Sequence, residues 1–468
     1  MRTDLKLPAL AIVAVLMVGA CSSGTPSSSP GGAASVAPGG SAPASAPASV
    51  APSEAAAPTP EPAEACAQSQ DPNAMQMWER SGGNKGMVDI LVCAWNAANA
   101  AKPINLSYIV HTEMVAKIAQ GVASGDVPDL MGMDLIYAPQ FENADQLVDI
   151  TDQTKDWPEL ADVSPGHKTV ATFNDRLFGV PLYADVSALF YNKDLFTQAG
   201  LDPDKPPTSL AELRTYADAI TKLGDDIKGY YLPGNCAGCN IFTVGPLMWA
   251  SDATIEAEKC GSEPLVGDGV KQVAQWAREM VAAGNVPEGA RAETGATFAE
   301  QFGSGKLGMM GTGNFNIVLA RDQMKDHPFE FGISLLPGVE AGKYASFIGG
   351  DLVVIPKGSK RIDDALAFMH YLLTDEIQVE LYAKALNLTT RTDPKLTDNQ
   401  YYAAEPLIAD VAKALAVGRT PYTLTFFEQI NSPQGPWLQM LQKAYYTDED
   451  LDAVINKAKD DMKAISCT

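Results

Sequence analysis

Seven cysteines, four histidines and one glycine-rich loop are where this chain of 468 residues could do covalent, metal or phosphate chemistry. The histidines stand far apart, at 111, 167, 327 and 370, and offer little material for a metal site or a general base. Cys236-Ala-Gly-Cys239 has the spacing of a redox dithiol or of half a zinc site. A redox C-x-x-C opens a helix after a strand. This one lies in Pro233-Gly-Asn-Cys-Ala-Gly-Cys-Asn240, a loop by its turn residues, with no second pair to complete a zinc site. Six cysteines remain once Cys21 is set aside: Cys66, Cys93, Cys236, Cys239, Cys260 and Cys467. An even number in an exported chain favours structural disulfides, whose pairing the sequence leaves open. Gly303-Ser-Gly-Lys-Leu-Gly308 satisfies G-x-G-x-x-G, but a helix over 296–302 precedes it where a nucleotide loop needs a strand, and no phosphate-loop spacing follows. No G-x-S-x-G or H-E-x-x-H occurs either, so no nucleotide or metal cofactor and no hydrolase machinery is expected.

Cys21 has a different context. Arg2 and Lys6 precede a short apolar run over 7–18, and Gly19-Ala20 leads into the cysteine. Residues 1–20 read as a secretory signal peptide, too short in their apolar part to span a bilayer. Leu16-Met-Val-Gly-Ala-Cys21 resembles a lipobox, which makes Cys21 the lipidated first residue of the mature chain. Residues 22–65 are almost entirely Ala, Pro, Ser and Gly, with three Glu and no Lys, Arg or aromatic residue. Such a composition cannot offset its ordering entropy, so 21–65 reads as a disordered tether with a reach of roughly 35–40 Å. A net charge of −23 argues against a nucleic-acid partner.

The body must then position whatever chemistry remains. From residue 71 short apolar runs alternate with helical periodicity, an α/β pattern. Strands are expected over 74–78, 104–110 and 129–133, with helices over 85–100 and 113–123 between them. This βαβ order brings the strand ends to a parallel-sheet edge, where ligands bind. Ser209-Leu-Ala-Glu212 fits a capping box for a helix running to 223, and a long helix is expected over 362–385.

Several segments resemble the extracytoplasmic sugar-binding proteins of bacterial ABC importers, the family that includes maltose-binding protein. They are Gly121-Val-Ala-Ser-Gly-Asp-Val-Pro-Asp129, then Val180-Pro-Leu-Tyr-Ala-Asp-Val-Ser-Ala-Leu-Phe-Tyr-Asn-Lys-Asp-Leu-Phe-Thr-Gln-Ala-Gly-Leu-Asp202, with Pro206–Leu213, Phe302–Met310 and Gly349–Ile355 in the same order. The resemblance covers about 74–395. It implies a two-lobed α/β periplasmic-binding-protein fold of the class II type, with a hinge and an interlobe cleft. One lobe would comprise 66–185 with 351–392, the other 186–350 with 393–468. Crossings are expected near 183–186, 347–350 and 392.

A sugar site needs aromatic faces for the C–H side of the ring and planar polar groups for its hydroxyls. By this resemblance the candidates are Trp78 as a stacking platform with Glu79 beside it, then Asp134, Tyr183 and Asp185. Asn235, Trp249, Asn314, Gly350, Asp351 and Arg391 complete the set, with Trp437 as a weaker aromatic. The expected function is capture of a mono- or oligosaccharide by a monomeric, lipid-anchored protein outside the membrane, without catalysis, and delivery to an ABC permease. The alternatives are a non-sugar solute on the same fold (a polyamine, an amino acid or a metal chelate) and, remotely, a secreted hydrolase.

Overall fold

Met75 and Met77 point inward from an alternating run and nucleate the first strand, as half-buried strands do. In this computed structural model residues 66–467 are described, apart from 82–83, 111–112, 296 and 326–327; the signal peptide, Cys21 and the tether lie outside them. The elements that matter are β1 (Met75–Ser81), α1 (Lys85–Ala98), β2 (Ile104–Val110), α2 (Met114–Ser124), β3 (Leu130–Asp134) and β4 (Gly179–Asn192). Then follow α3 (Leu210–Thr221), β5 (Lys228–Tyr231), α4 (Ala237–Thr243), α5 (Gly245–Trp249), α6 (Asp268–Ala282), β6 (Leu307–Gly313) and α7 (Asn316–Gln323). β7 (Phe331–Ser334), β8 (Tyr344–Val354), α8 (Ile362–Leu373), α9 (Pro436–Tyr446) and α10 (Leu451–Ile465) complete the set.

The expected βαβ start is present: β1 pairs in parallel with both β2 and β3. The sheet order is β2-β1-β3-β8-β4-β6-β5. It is not parallel throughout, because β8 runs antiparallel to both β3 and β4. Two strands are shared between the halves of this sheet. β4 pairs with β8 over Gly179 to Val186, then with β6 and β7 from Ser187 onward. Its burial is nearly continuous, as a strand covered on both faces requires. The chain also returns near this point, with Leu388 bridging Ala184 and Arg391 bridging Val163.

α1 packs Trp95 edge-on against Phe368 of α8, with ring centroids 5.4 Å apart. Around α3 the capping box is displaced by one residue. Ser209 Oγ accepts from the Glu212 amide, but the Glu212 carboxylate accepts from Thr208, through its N–H at 2.7 Å and its hydroxyl at 2.8 Å. The long helix expected over 362–385 breaks at Thr374, whose ψ is 146°. Buried Gln378 explains the break: its amide donates to the Leu372 carbonyl and to Thr390 Oγ1, and its carbonyl accepts from the Thr390 amide. The cysteines form Cys66–Cys93, Cys236–Cys239 and Cys260–Cys467. The second of these corrects the expected loop: after β5 the C-x-x-C opens α4, with Cys236 as its N-cap and the disulfide as a local staple. Among the described residues no helix is long and apolar enough to cross a membrane.

Candidate functional site

Strand alternation sends Trp78 and Glu79 to opposite faces of β1. Trp78 packs under α2, with Lys117 Nζ 4.7 Å from its ring centroid and Gly121 close over the indole. The structure does not bring it to the carboxylates, so the expected pairing of platform and acid is separated by the sheet itself. Glu79 turns toward β3, where only Gly132 leaves room: a β-carbon there would overlap its carboxylate.

Asp351 of β8 stands directly opposite Asp134 of β3 and also opposite Tyr183 of β4, while Asp185 stands opposite Gly349. Like charges facing each other across strands repel. Arg80, the residue after Glu79, resolves this. Its Nε donates to both Asp351 oxygens at 2.8 Å, and Nη2 donates to Asp351 Oδ1 at 2.5 Å and to the Tyr183 hydroxyl at 3.1 Å. Nη1 lies 3.5 Å from Asp134 Oδ2. Arg80, Asp134 and Tyr137 also line a small cavity floored by Met114, Ile118 and Met133.

Burial governs the protonation of this cluster. Desolvation, reinforced by Asp351, holds the Glu79 carboxyl well above the usual carboxylate range. Neither Glu79 oxygen has a donor, and a proton kept on Glu79 would bond Asp351. Burial, opposed by Arg80, pushes Asp134 up to about 6 and Asp185 up to about 7. Behind Tyr183, buried His167 is pushed down to about 4 by desolvation. Its Nε2 therefore donates to the Tyr183 carbonyl at 3.2 Å, which leaves Nδ1 to accept from Ser164 at 2.6 Å.

The second half of the sheet supplies aromatic rings. Phe242 of α4 lies 4.8 Å from Phe347 and 5.7 Å from Phe315, which is 53% exposed. Beside Phe315, Asn314 clamps Val186: its Oδ1 accepts from the Val186 amide at 2.8 Å and its own amide donates to the Val186 carbonyl at 3.0 Å. Tyr137, just past β3, is edge-on to Phe426, and its hydroxyl meets Asn431 Nδ2 at 3.4 Å.

Five expected residues, Glu79, Asp134, Tyr183, Asp185 and Asp351, thus converge, with Gly350 supporting them. Its φ of 110° and the nearby Tyr183 carbonyl exclude any side chain there. Others stand elsewhere. Trp249 is buried in the core, stacked on Phe347 at 6.2 Å, and Trp437 is fully buried. Asn235 accepts from Gln442 on the surface. Asn314 uses its side chain on Val186. Arg391 is 3% exposed and bonded to Asp162, to Asp375 and to the Leu373 carbonyl, which leaves its guanidinium enclosed by protein. Sequence reasoning missed Arg80, Tyr137, Phe242, Phe315 and Asn431. Arg80 alone had a signal, as the only cation beside the expected acids.

The model of the family described as bacterial extracellular solute-binding protein matches residues 91–410. A binding protein of Brucella abortus is 26% identical over 203 residues, 43% of this chain and 48% of its own length, so the chain spans about half of such relatives. A maltooligosaccharide ABC transporter solute-binding lipoprotein of Streptococcus pneumoniae is 24% identical over 299 residues, 60% of this chain and 63% of that protein. The sn-glycerol-3-phosphate-binding periplasmic protein of Escherichia coli is 23% identical over 425 residues, 85% of this chain and 91% of its own. Among solved structures, the cyclic alpha-maltosyl-1,6-maltose binding protein of Arthrobacter globiformis superposes with a TM-score of 0.71 at 23% identity, covering 84% of this chain and 98% of that one. The sugar-binding protein MalE of Xanthomonas citri gives 0.73 at 20%, covering 84% and 97%. The two-lobed α/β fold is therefore shared with these proteins, and the chain belongs to the family of bacterial extracellular solute-binding proteins.

Proposed function

We propose that this protein captures a carbohydrate, a mono- or oligosaccharide, in a cleft between two lobes and delivers it to an ABC permease without catalysing a reaction. One lobe comprises 66–185 with 351–392 and the other 186–350 with 393–468. The protein acts as a monomer held outside the membrane by a lipid on Cys21 and a tether over 21–65.

The observation that carries this reading is the carboxylate cluster where β4 and β8 change partners. Asp134 and Asp185 present acceptors for hydroxyls, and the half-exposed Phe315 follows Asn314, whose side chain bonds Val186, the residue after Asp185. That is the combination a pyranose needs. The relatives named for maltooligosaccharide and maltosyl-maltose support the ligand class, and the streptococcal relative named a lipoprotein supports the anchor.

A thermal-shift screen of residues 66–468 against saccharides, polyamines and amino acids tests the reading. A ligand at 100 times its dissociation constant adds about 2.7 kcal/mol, so one saccharide class raises the midpoint. Shifts with amino acids or simple polyamines alone would end the carbohydrate assignment. For the anchor, Cys21→Ser moves the protein from the membrane fraction to the medium; continued membrane association would refute lipidation.

A further inference from the structure

The charges of the cluster do not balance. Four carboxyl groups, on Glu79, Asp134, Asp185 and Asp351, come from four adjoining strands, and among the described residues one cation, Arg80, answers them. Glu79, held protonated, adds no charge, which leaves three acids to one guanidinium. Nε and Nη2 of that guanidinium are hydrogen-bonded to Asp351 and Tyr183, and Nη1 lies 3.5 Å from Asp134. An anionic ligand would have to compete with these acids for it.

The acids, by contrast, have unused capacity. Glu79 is 0% exposed, receives no donor and keeps its own proton toward Asp351, so it does not neutralise its neighbours. Asp185 Oδ1 is likewise buried without a donor. The groups packed around them are Tyr183 on β4, Tyr137 after β3, and His167, which is held neutral behind Tyr183. None of these brings a positive charge. A buried carboxylate without a counter-charge or a donor is costly. A bare metal ion is a poor answer, because among the described residues no group of three or more His, Cys, Asp or Glu is placed to hold one.

Resting on the carbohydrate reading above, we propose that the natural ligand is a saccharide bearing an ammonium group, seated against Asp134 and Asp185, and that the cleft rejects sugar phosphates and uronates. An ammonium group carries three donors and one charge, which is what the two acids lack. Its binding drives protons off Asp134 and Asp185, which are partly protonated near neutral pH when the site is empty.

The test is calorimetry on the full mature protein with matched pairs: glucosamine, galactosamine and mannosamine oligosaccharides against the same sugars N-acetylated, with sugar phosphates as the anionic control. Each titration is run in two buffers of different ionisation enthalpy. The expected result is at least about tenfold tighter binding of one free amine than of its acetylated twin, with protons released to the buffer and no binding of the phosphates. Asp185→Asn, checked for folding by its melting curve, narrows the amine-to-acetyl ratio several-fold. Equal or tighter binding of the acetylated or neutral sugar would overturn the proposal and leave the carbohydrate reading standing. Binding of a sugar phosphate would also overturn it. If no saccharide binds, both readings fall.

Discussion

Asp134 and Asp351 face each other directly across antiparallel strands, and the Arg80 guanidinium lies against both. Removing the cation should therefore expose a repulsion that the sheet geometry cannot relax. Arg80→Met is expected to cost about 3–5 kcal/mol, measured by urea unfolding at pH 7. The loss shrinks below pH 6, where Asp134 takes up a proton. Arg80→Lys recovers only part of it, because one ammonium cannot reproduce the paired N–H contacts. A loss under about 1 kcal/mol would mean that the pairing is incidental.

Glu142 presents the same problem without a cation. It is 1% exposed, neither oxygen has a partner, and burial pushes its carboxyl up to about 8. Below the ordinary value of 4.5 both folded and unfolded chains hold the proton, and nothing is lost. Between that pH and about 8 only the unfolded chain ionises, so stability falls as pH rises. Glu142→Gln should remove this decline, a difference on the order of 2–4 kcal/mol at pH 8 that vanishes near pH 4. Parallel stability–pH curves for the two proteins would refute the assignment.

The aromatic residues separate into those that hold the fold and those free to meet ligand. Trp249→Ala should lower stability by about 3–5 kcal/mol, as removal of a buried ring does. Phe315→Ala should change it by less than about 1 kcal/mol while weakening saccharide binding several-fold, read by calorimetry. Unchanged affinity in Phe315→Ala would exclude stacking at that ring.

The disulfides differ greatly in span. Cys260–Cys467 closes a separation of 207 residues and Cys236–Cys239 one of 3. Loop entropy predicts a cost of roughly 5 kcal/mol or more for Cys260→Ser with Cys467→Ser, against about 2 kcal/mol or less for the paired serine variant of the short loop. Denaturation midpoints compare them directly, and equal losses would show that the entropy argument does not apply here.

The βαβ start was legible because local periodicity and motif order determine it: β2 runs over Ile104–Val110, as expected. The antiparallel β8 was not legible, since pairing partners lie far apart in sequence. Among the candidate residues the acids on β3, β4 and β8 were named from their motifs, and the strand register brings them together. Trp78 was misjudged because its direction depends on which face of β1 meets α2. Arg391 was misjudged because its partners, Asp162 and Asp375, come from distant turns.

Asn314 secures both backbone groups of Val186, and Ser187 is tied to the next strand through the Phe347 amide and through Ser346. Torsion between the halves is thereby denied to that stretch. The lobe closure proposed above would then pass through the neighbouring pairs, over 183–185 and at Gly349-Gly350. Asp185 sits in that stretch, so under the proposed reading a ligand gripping it would act on the axle of the molecule as well as on its jaws. Occupancy would then be transmitted as a change of angle over a lever arm of only one or two residues.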